Sequence, residues 1–282
     1  MKLVLPFSAH IPALASLALA LGLLSTLNPQ LSTYAQGSLT PPGAPAPAMK
    51  SLAQIEPRTP ISTLPITITN SGSYYVVSNL TGVTTQSGIS IGANDVTLDL
   101  NGFALIGVTG SQNGVTLAGA FTNIYLFGGT IRNWGGDGIS LGSFIGCDPR
   151  IEHTRVCNNL SAGIIIDHGV VRDCLVLNNG DDGIRAYNNC LIINNYIAGN
   201  NRTFSGGGVY ISFSGNQIEG NQISAGNDHG IYETSTGNLI IRNTARGNAT
   251  TNYSFNGNGT YGPVITGAGI ITNNSPWANF SY

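Results

Sequence analysis

Seven times along the chain a short block recurs that opens with glycine, followed by an apolar residue at its second position and, in all but the last, another at its fourth. The copies are Gly88-Ile89-Ser90-Ile91, Gly114-Val115-Thr116-Leu117, Gly138-Ile139-Ser140-Leu141, Gly163-Ile164-Ile165-Ile166, Gly183-Ile184-Arg185-Ala186, Gly208-Val209-Tyr210-Ile211 and Gly230-Ile231-Tyr232-Glu233. An eighth copy, Asn252-Tyr253-Ser254-Phe255, has lost the glycine. Successive copies lie 26, 24, 25, 20, 25, 22 and 22 residues apart. A period in this range marks a solenoid, a stack of units none of which buries its apolar face alone.

Alternation at two within each block puts both apolar side chains on one face, which is the pattern of a strand. Helical repeats would need stretches rich in Ala, Leu, Glu and Lys, whereas only 9% of this chain is charged and 38 residues are glycine. A leucine-rich repeat would show a longer leucine ladder with an asparagine at a fixed place. The expected fold is therefore all-β, a single-stranded right-handed parallel β-helix of about eight coils. At roughly 4.8 Å per coil such a rod is about 40 Å long.

The 282 residues, 41% of them apolar, suffice for one elongated core and give no reason for a second folded domain. Residues 1–35 read as an export signal: Lys2 precedes an apolar stretch from Ile11 to Leu24, and Thr33-Tyr34-Ala35 offers small residues where a signal peptidase reads. That stretch is short for a bilayer span, and no later segment approaches one; an uncleaved anchor is the alternative. The expected location is secreted, periplasmic or cell-surface. Residues 36–48 form a Pro/Ala-rich linker, stiff because each proline fixes φ. The β-helix domain then occupies 49–282. It opens with a cap helix over 49–57, where Met49, Leu52 and Ile55 recur at helical spacing until Pro57. It closes with an irregular cap over 256–282, where Trp277, Phe280 and Tyr282 would plug the last coil.

With the apolar positions inward, the middle residue of each block faces solvent: Ser90, Thr116, Ser140, Ile165, Arg185, Tyr210 and Tyr232. Two residues further on the same face stand Gly142, Asp167, Tyr187, Ser212 and Thr234. Arg185, Tyr187, Tyr210 and Tyr232 should form one patch over three coils, near the turn residues Asp181, Asp182, Asp228 and His229. Aromatic rings and hydroxyl-binding polar groups suit a glycan laid across the coils. A tyrosine column also stabilises a sheet without any ligand. Eleven basic against thirteen acidic residues, with no Lys/Arg cluster, argue against a nucleic-acid partner. A threonine column for an ice or crystal surface is absent from the outward places.

Catalysis would centre on Asp181, Asp182 and Arg185. A uronate lyase needs a base and a neutralising group at the reacting carbon, and Arg185 could supply either. No cofactor motif is present. Calcium is the metal the pattern admits, yet Asp181 and Asp182 supply too few oxygens, and Asp137 and Asp228 lie two coils away, on the order of 10 Å. The competing reading of Asp-Asp-Gly is turn chemistry, with carboxylates bonding backbone N–H groups.

Asn195, Asn221 and Asn243 each open an Asn-x-apolar unit one coil apart, so their amides should stack as a ladder. Cys147, Cys157, Cys174 and Cys190 fall within two coils and permit up to two disulfides in three pairings, or free buried thiols. The histidines His153, His168 and His229 fall at different coil positions, and no metal-binding Cys pair exists. Glu233 sits at an inward place, where an unpaired carboxylate would be costly, and His229 is its expected partner.

The stretch Met49 to Ile61, with Gly72-Ser73-Tyr74-Tyr75, Asn79-Leu80-Thr81-Gly82 and Asn94 to Phe103, resembles the opening of exported bacterial right-handed parallel β-helix repeat proteins. Pro276-Trp277-Ala278-Asn279-Phe280 is similar to their ending. The resemblance implies a pectate-lyase-like scaffold and no particular reaction. Asn179-Gly180-Asp181-Asp182-Gly183 resembles the Asp-Asp element of polygalacturonase-type glycosidases. That family's other elements are replaced here by Asn159-Leu160-Ser161 and Gly206-Gly207-Gly208. Asp148-Pro149-Arg150 is similar to the Asp-Pro-His-Asp element of alginate C5-epimerases, with Arg150 and Ile151 in place of His and Asp. The sequence points to a glycan-contacting or structural surface module. The alternative is a polysaccharide-active enzyme, a uronate lyase, epimerase or glycoside hydrolase, using Asp181, Asp182 and Arg185. The oligomeric state is left open by the sequence.

Overall fold

The computed structural model describes residues 55–282 apart from 143–145, 202–205, 226–227 and 268. The expected signal (1–35), the linker (36–48) and positions 49–54 of the expected cap helix lie outside the described residues. The described chain is a right-handed parallel β-helix of about eight coils, all-β, with three parallel sheets that the chain visits in turn. Sheet 1 has ten strands, from Thr59–Ile61 to Thr260–Tyr261. Sheet 2 has ten, beginning with Leu80–Thr81 and ending at Val264–Thr266. Sheet 3, built from the glycine blocks, has nine, from Ile66–Ile68 to Thr251–Ser254. Among the described residues no helix is long and apolar enough to cross a membrane.

The blocks align as their spacing requires. Ile139 pairs with Ile164, Ile164 with Ile184, Ile184 with Val209, Val209 with Ile231 and Ile231 with Tyr253. A ninth strand, Ile66–Ile68, pairs Ile66 with Ile89 and escapes the sequence pattern because Pro65 stands where seven of the other copies have glycine. Inward residues such as Ile89, Ile139, Ile164, Ile184 and Val209 are fully buried, while the residue between them is half-buried. Ser140 is the exception, outward in register yet buried.

The glycine column has a steric cause. A Cβ on Gly114 would lie 2.5 Å from the carbonyl oxygen of Gly138, one on Gly163 2.6 Å from that of Gly183, and one on Gly183 2.5 Å from that of Gly208. Gly88, Gly114, Gly138, Gly163, Gly183 and Gly230 are thus points where one coil's backbone passes under the next with no room for a side chain. Asn252, the copy that lost its glycine, lies on the last strand of sheet 3, so no further block carbonyl sits above it. Trp134 adds a second constraint: its indole fills the core so closely that a Cβ on Gly82 or Gly88 would meet it at 2.5 and 2.6 Å.

Stacked asparagines line the turns. Asn195, Asn221, Asn243 and Asn279 are linked amide to amide at 3.0, 3.0 and 3.2 Å, and all four are buried. The expected three-rung ladder therefore gains a rung from the tail. A second ladder, Asn159, Asn179 and Asn200, is joined at 2.9 and 2.8 Å, and a third links Asn216 to Asn238 at 3.0 Å. Each amide also serves the backbone, so turn N–H and C=O groups that face the core find partners without water.

The C-terminal end corrects the expected plug. The tail is not irregular throughout, because Asn279–Ser281 extends sheet 2 beside Thr244 and carries Val264–Thr266 on its other side. Trp277 and Tyr282 are 49% and 65% exposed. The core is closed instead by Tyr253, Phe255 and Tyr261, with the Phe255 and Tyr261 rings stacked at 4.1 Å. Glu233 is inward and buried, as its register requires, but its partners are Asn238 at 2.9 Å and the Tyr261 hydroxyl rather than His229. The end of the rod needs an acceptor for Tyr261, and Glu233 provides it.

All four cysteines are free and buried. Burial pushes the Cys174 thiol up to about 12 and the Cys190 thiol up to about 11. Thiolate, the reactive form, is suppressed at neutral pH. A thiol reagent should therefore label none of the four in the native protein and all four in denaturant; rapid native labelling would contradict their burial.

Candidate functional site

The chemistry-bearing residues of the glycine-block sheet fall on its outer column, which runs Ser140, Ile165, Arg185, Tyr210, Tyr232 and Ser254 in register. The Arg185 guanidinium lies 5.6 Å from the Tyr210 ring centre, Tyr210 stacks on Tyr232 at 5.4 Å, and His229 packs on Tyr232 at 4.6 Å. Asp228 flanks His229 at 3.9 Å and accepts a hydrogen bond from Thr250. The structure thus brings Arg185, Tyr210, Tyr232, Asp228 and His229 into one row across three coils. Tyr187 turns aside to meet the exposed Phe213 edge-on at 5.7 Å.

Ring orientation matters to what this row can do. Because the Tyr210 and Tyr232 planes are only 30° apart, the rings spend their faces on each other. What they offer outward is a row of edges and hydroxyls. Among the described residues neither hydroxyl has a hydrogen-bond partner.

Asp181 and Asp182 both turn to Arg185. Arg185 Nη2 lies 2.8 Å from Asp181 Oδ2 and 2.7 Å from Asp182 Oδ2, and its Nε donates to Asp182 Oδ2 at 2.8 Å. Asp182 Oδ1 accepts the Gly207 N–H at 2.8 Å. The Asp182 side chain has no exposure, and burial pushes its carboxyl up to about 6 against the pull of Arg185 and the Gly207 N–H. Arg185 is in turn held above its ordinary range: burial opposes its charge, but the two carboxylates outweigh it.

The Asp182 contact repeats along the solenoid. Asn113 Oδ1 accepts the Asp137 N–H at 2.8 Å and Asp137 Oδ1 the Ala162 N–H at 3.1 Å, each residue standing directly before a block glycine as Asp182 does. Asp182 therefore does what Asn113 and Asp137 do, tying one turn to the next, and in addition aims Arg185. Asp181 remains 15% exposed and is the carboxylate a ligand could reach.

One residue was not legible in the sequence. Asn201 is buried beside Asp181, to whose carbonyl its N–H donates at 2.6 Å, and neither atom of its side-chain amide has a hydrogen-bond partner. His229 Nδ1 is likewise buried and unpartnered. Such orphans are uncommon in folded proteins. The signal for Asn201 is the ladder residue Asn200 beside it. Asn159 and Asn179 each stand four residues before a block glycine, but Asn200 stands eight before Gly208, so the extra residues hide the alignment.

Asp148-Pro149-Arg150 leads into sheet 1. Arg150 and the Tyr125 hydroxyl both donate to the buried Glu152, the latter at 2.9 Å. Tyr125, Asp148, Pro149 and Arg150 border a cleft of about 370 Å³ with Asn123 and His168. Among the described residues no group of three or more His, Cys, Asp or Glu is placed to hold a metal ion.

No protein-family model and no curated protein matches this chain. Solved structures that match include the Agl-KA catalytic domain, 16% identical with a TM-score of 0.49, over 79% of this chain and 47% of that one. The chain thus spans about half the length of the Agl-KA structure. Another is the A-module of the Azotobacter vinelandii mannuronan C-5 epimerase AlgE4, 12% identical with a TM-score of 0.43, over 68% of this chain and 69% of that one.

Proposed function

We propose that the chain is an exported surface module that contacts a neutral, hydroxyl-rich glycan along the row Arg185, Tyr210, Tyr232 and His229. The observation that carries this reading is the row itself, in which a guanidinium, two stacked tyrosines and an imidazole stand side by side on one outer column. The two tyrosine hydroxyls, on half-buried side chains and without a protein partner among the described residues, are groups of this row that sugar hydroxyls can reach. Charge supports a neutral ligand, because among the described residues Asp181 and Asp182 both pair with Arg185 while Asp228 stands beside His229. A uronate would meet like charge there. Binding rather than turnover fits the burial of Asp182, which cannot approach a sugar and serves to position Arg185.

The test is retention of the full chain on immobilised neutral polysaccharides, with hydrolytic, lyase and epimerase products followed in parallel. The double variant Tyr210→Phe/Tyr232→Phe keeps the stacked rings but removes the hydroxyls. It should weaken binding about tenfold while leaving the denaturation midpoint unchanged. Unchanged binding by this variant would sink the hydroxyl-row reading. Turnover of any polysaccharide that is lost in Asp181→Asn would replace it with the enzyme.

A further inference from the structure

Charge is segregated around the coils. Of the eight arginines among the described residues, Arg58, Arg150, Arg172, Arg185 and Arg242 each pair with a carboxylate. The remaining three, Arg132, Arg155 and Arg246, have no ion pair among the described residues, and all three lie on strands of sheet 2. No strand of that sheet contains Asp or Glu. Its outer columns run Arg155, Leu175, Tyr196, Gln222, Thr244 and Arg132, Cys157, Leu177, Ala198, Ser224, Arg246 in register. Among the described residues the arginines without an ion pair thus all lie on sheet 2, whereas the paired ones lie on the other two sheets or, for Arg58 and Arg242, beside the strands.

A notch of about 110 Å³ opens on this face, lined by Tyr196, Gln222, Ser224, Thr244, Arg246 and Tyr282. Tyr196 and Tyr282 are both exposed, and the Arg246 guanidinium lies 5.9 Å from the Tyr282 ring centre. Tyr196 and Thr244 are two strands apart, about 10 Å, so a sugar carboxylate fits the notch while the saccharide itself lies along the open face around it. Aromatic rings beside amide and hydroxyl groups are the furniture of a sugar site, and an arginine without a carboxylate partner selects an anion.

We propose that this notch is a second saccharide site, specific for a carboxylate-bearing sugar. Arg246 takes the carboxylate, Tyr196 and Tyr282 flank the ring, and Gln222 and Thr244 take hydroxyls. Arg155 and Arg132 lie four and five strands from Arg246 on the same sheet, roughly 19 and 24 Å away across uncharged strands, so an acidic polymer of that length gains further contacts there. The site is independent of the row on sheet 3, where the local charge has the opposite sign.

The experiment is calorimetric titration of the full chain with an oligogalacturonide and with its fully methyl-esterified form, each at low and high salt. The acidic form should bind, and added salt should weaken it. The ester should bind at least about tenfold more weakly. Arg246→Gln, at an exposed position, should lower affinity for the acidic form about tenfold or more, while Arg58→Gln, which removes a paired cation just before the first strand of sheet 1, should leave it unchanged. Absence of binding, equal binding of the ester, or equal effects of the two substitutions would each overturn the proposal.

Discussion

Gly163→Ala will destabilise the β-helix by about 3 kcal/mol, and Gly163→Val will leave no folded protein. A Cβ at this position meets the Gly183 carbonyl oxygen at 2.6 Å, the Asn179 amide nitrogen at 2.7 Å and Val176 Cγ1 at 2.7 Å. Two of these three neighbours cannot yield. The Gly183 carbonyl is held by the Ile164 N–H at 3.0 Å, and Asn179 is the middle rung of its ladder. The clash therefore spreads to the coil above instead of being absorbed by a side chain. The control is Asn252→Ala, which loses bonds to Asn248 and Ser281 and should cost only about 1 kcal/mol. Urea midpoints for the three variants decide the matter, and equal midpoints for Gly163→Ala and wild type would show that the coils can spread.

Asn221→Ala should be the most damaging truncation of a polar side chain, costing about 4 kcal/mol of a total stability that is typically only about 5–15. The Asn221 amide accepts from the Asn195 backbone and side chain at 2.9 and 3.0 Å. It donates to Asn243 at 3.0 Å and to the carbonyls of Ile192 and Glu219 at 2.9 and 3.1 Å. Removing it leaves several buried groups unpaired on three successive coils, each worth roughly 1–3 kcal/mol. The adjacent Gln222→Ala, on an exposed side chain, should stay within about 0.5 kcal/mol of wild type. A comparable loss at both positions in thermal or urea unfolding would mean that the ladder contributes no more than surface residues do.

Two of the rod's faces differ in what they present. Among the described residues the row on sheet 3 combines three carboxylates with one guanidinium and two tyrosine hydroxyls, whereas sheet 2 carries arginines with no carboxylate on its strands. A solenoid permits this division because each column of outward residues repeats once per coil, so substitutions on one face leave the other columns untouched.

Much of this architecture could be read before any coordinates. The interval between glycine blocks determined coil number and register, since glycine is required wherever one backbone passes under the next, and alternation at two determined which residues face out. The Asn195, Asn221 and Asn243 ladder was legible because its spacings match the blocks. The ladder through Asn200 was not, because extra residues separate that rung from its glycine. Tertiary structure alone decided how the outward groups are used. It turned both carboxylates of Asp181-Asp182 onto Arg185, buried Asp182 as a turn tie like Asn113 and Asp137, and spent the tyrosine faces on each other. It also gave Glu233 to Tyr261 at the closing end and isolated three arginines on one sheet. The physical reason is that periodicity in a sequence reports backbone repetition, whereas the pairing of long polar side chains depends on which columns the three sheets bring side by side.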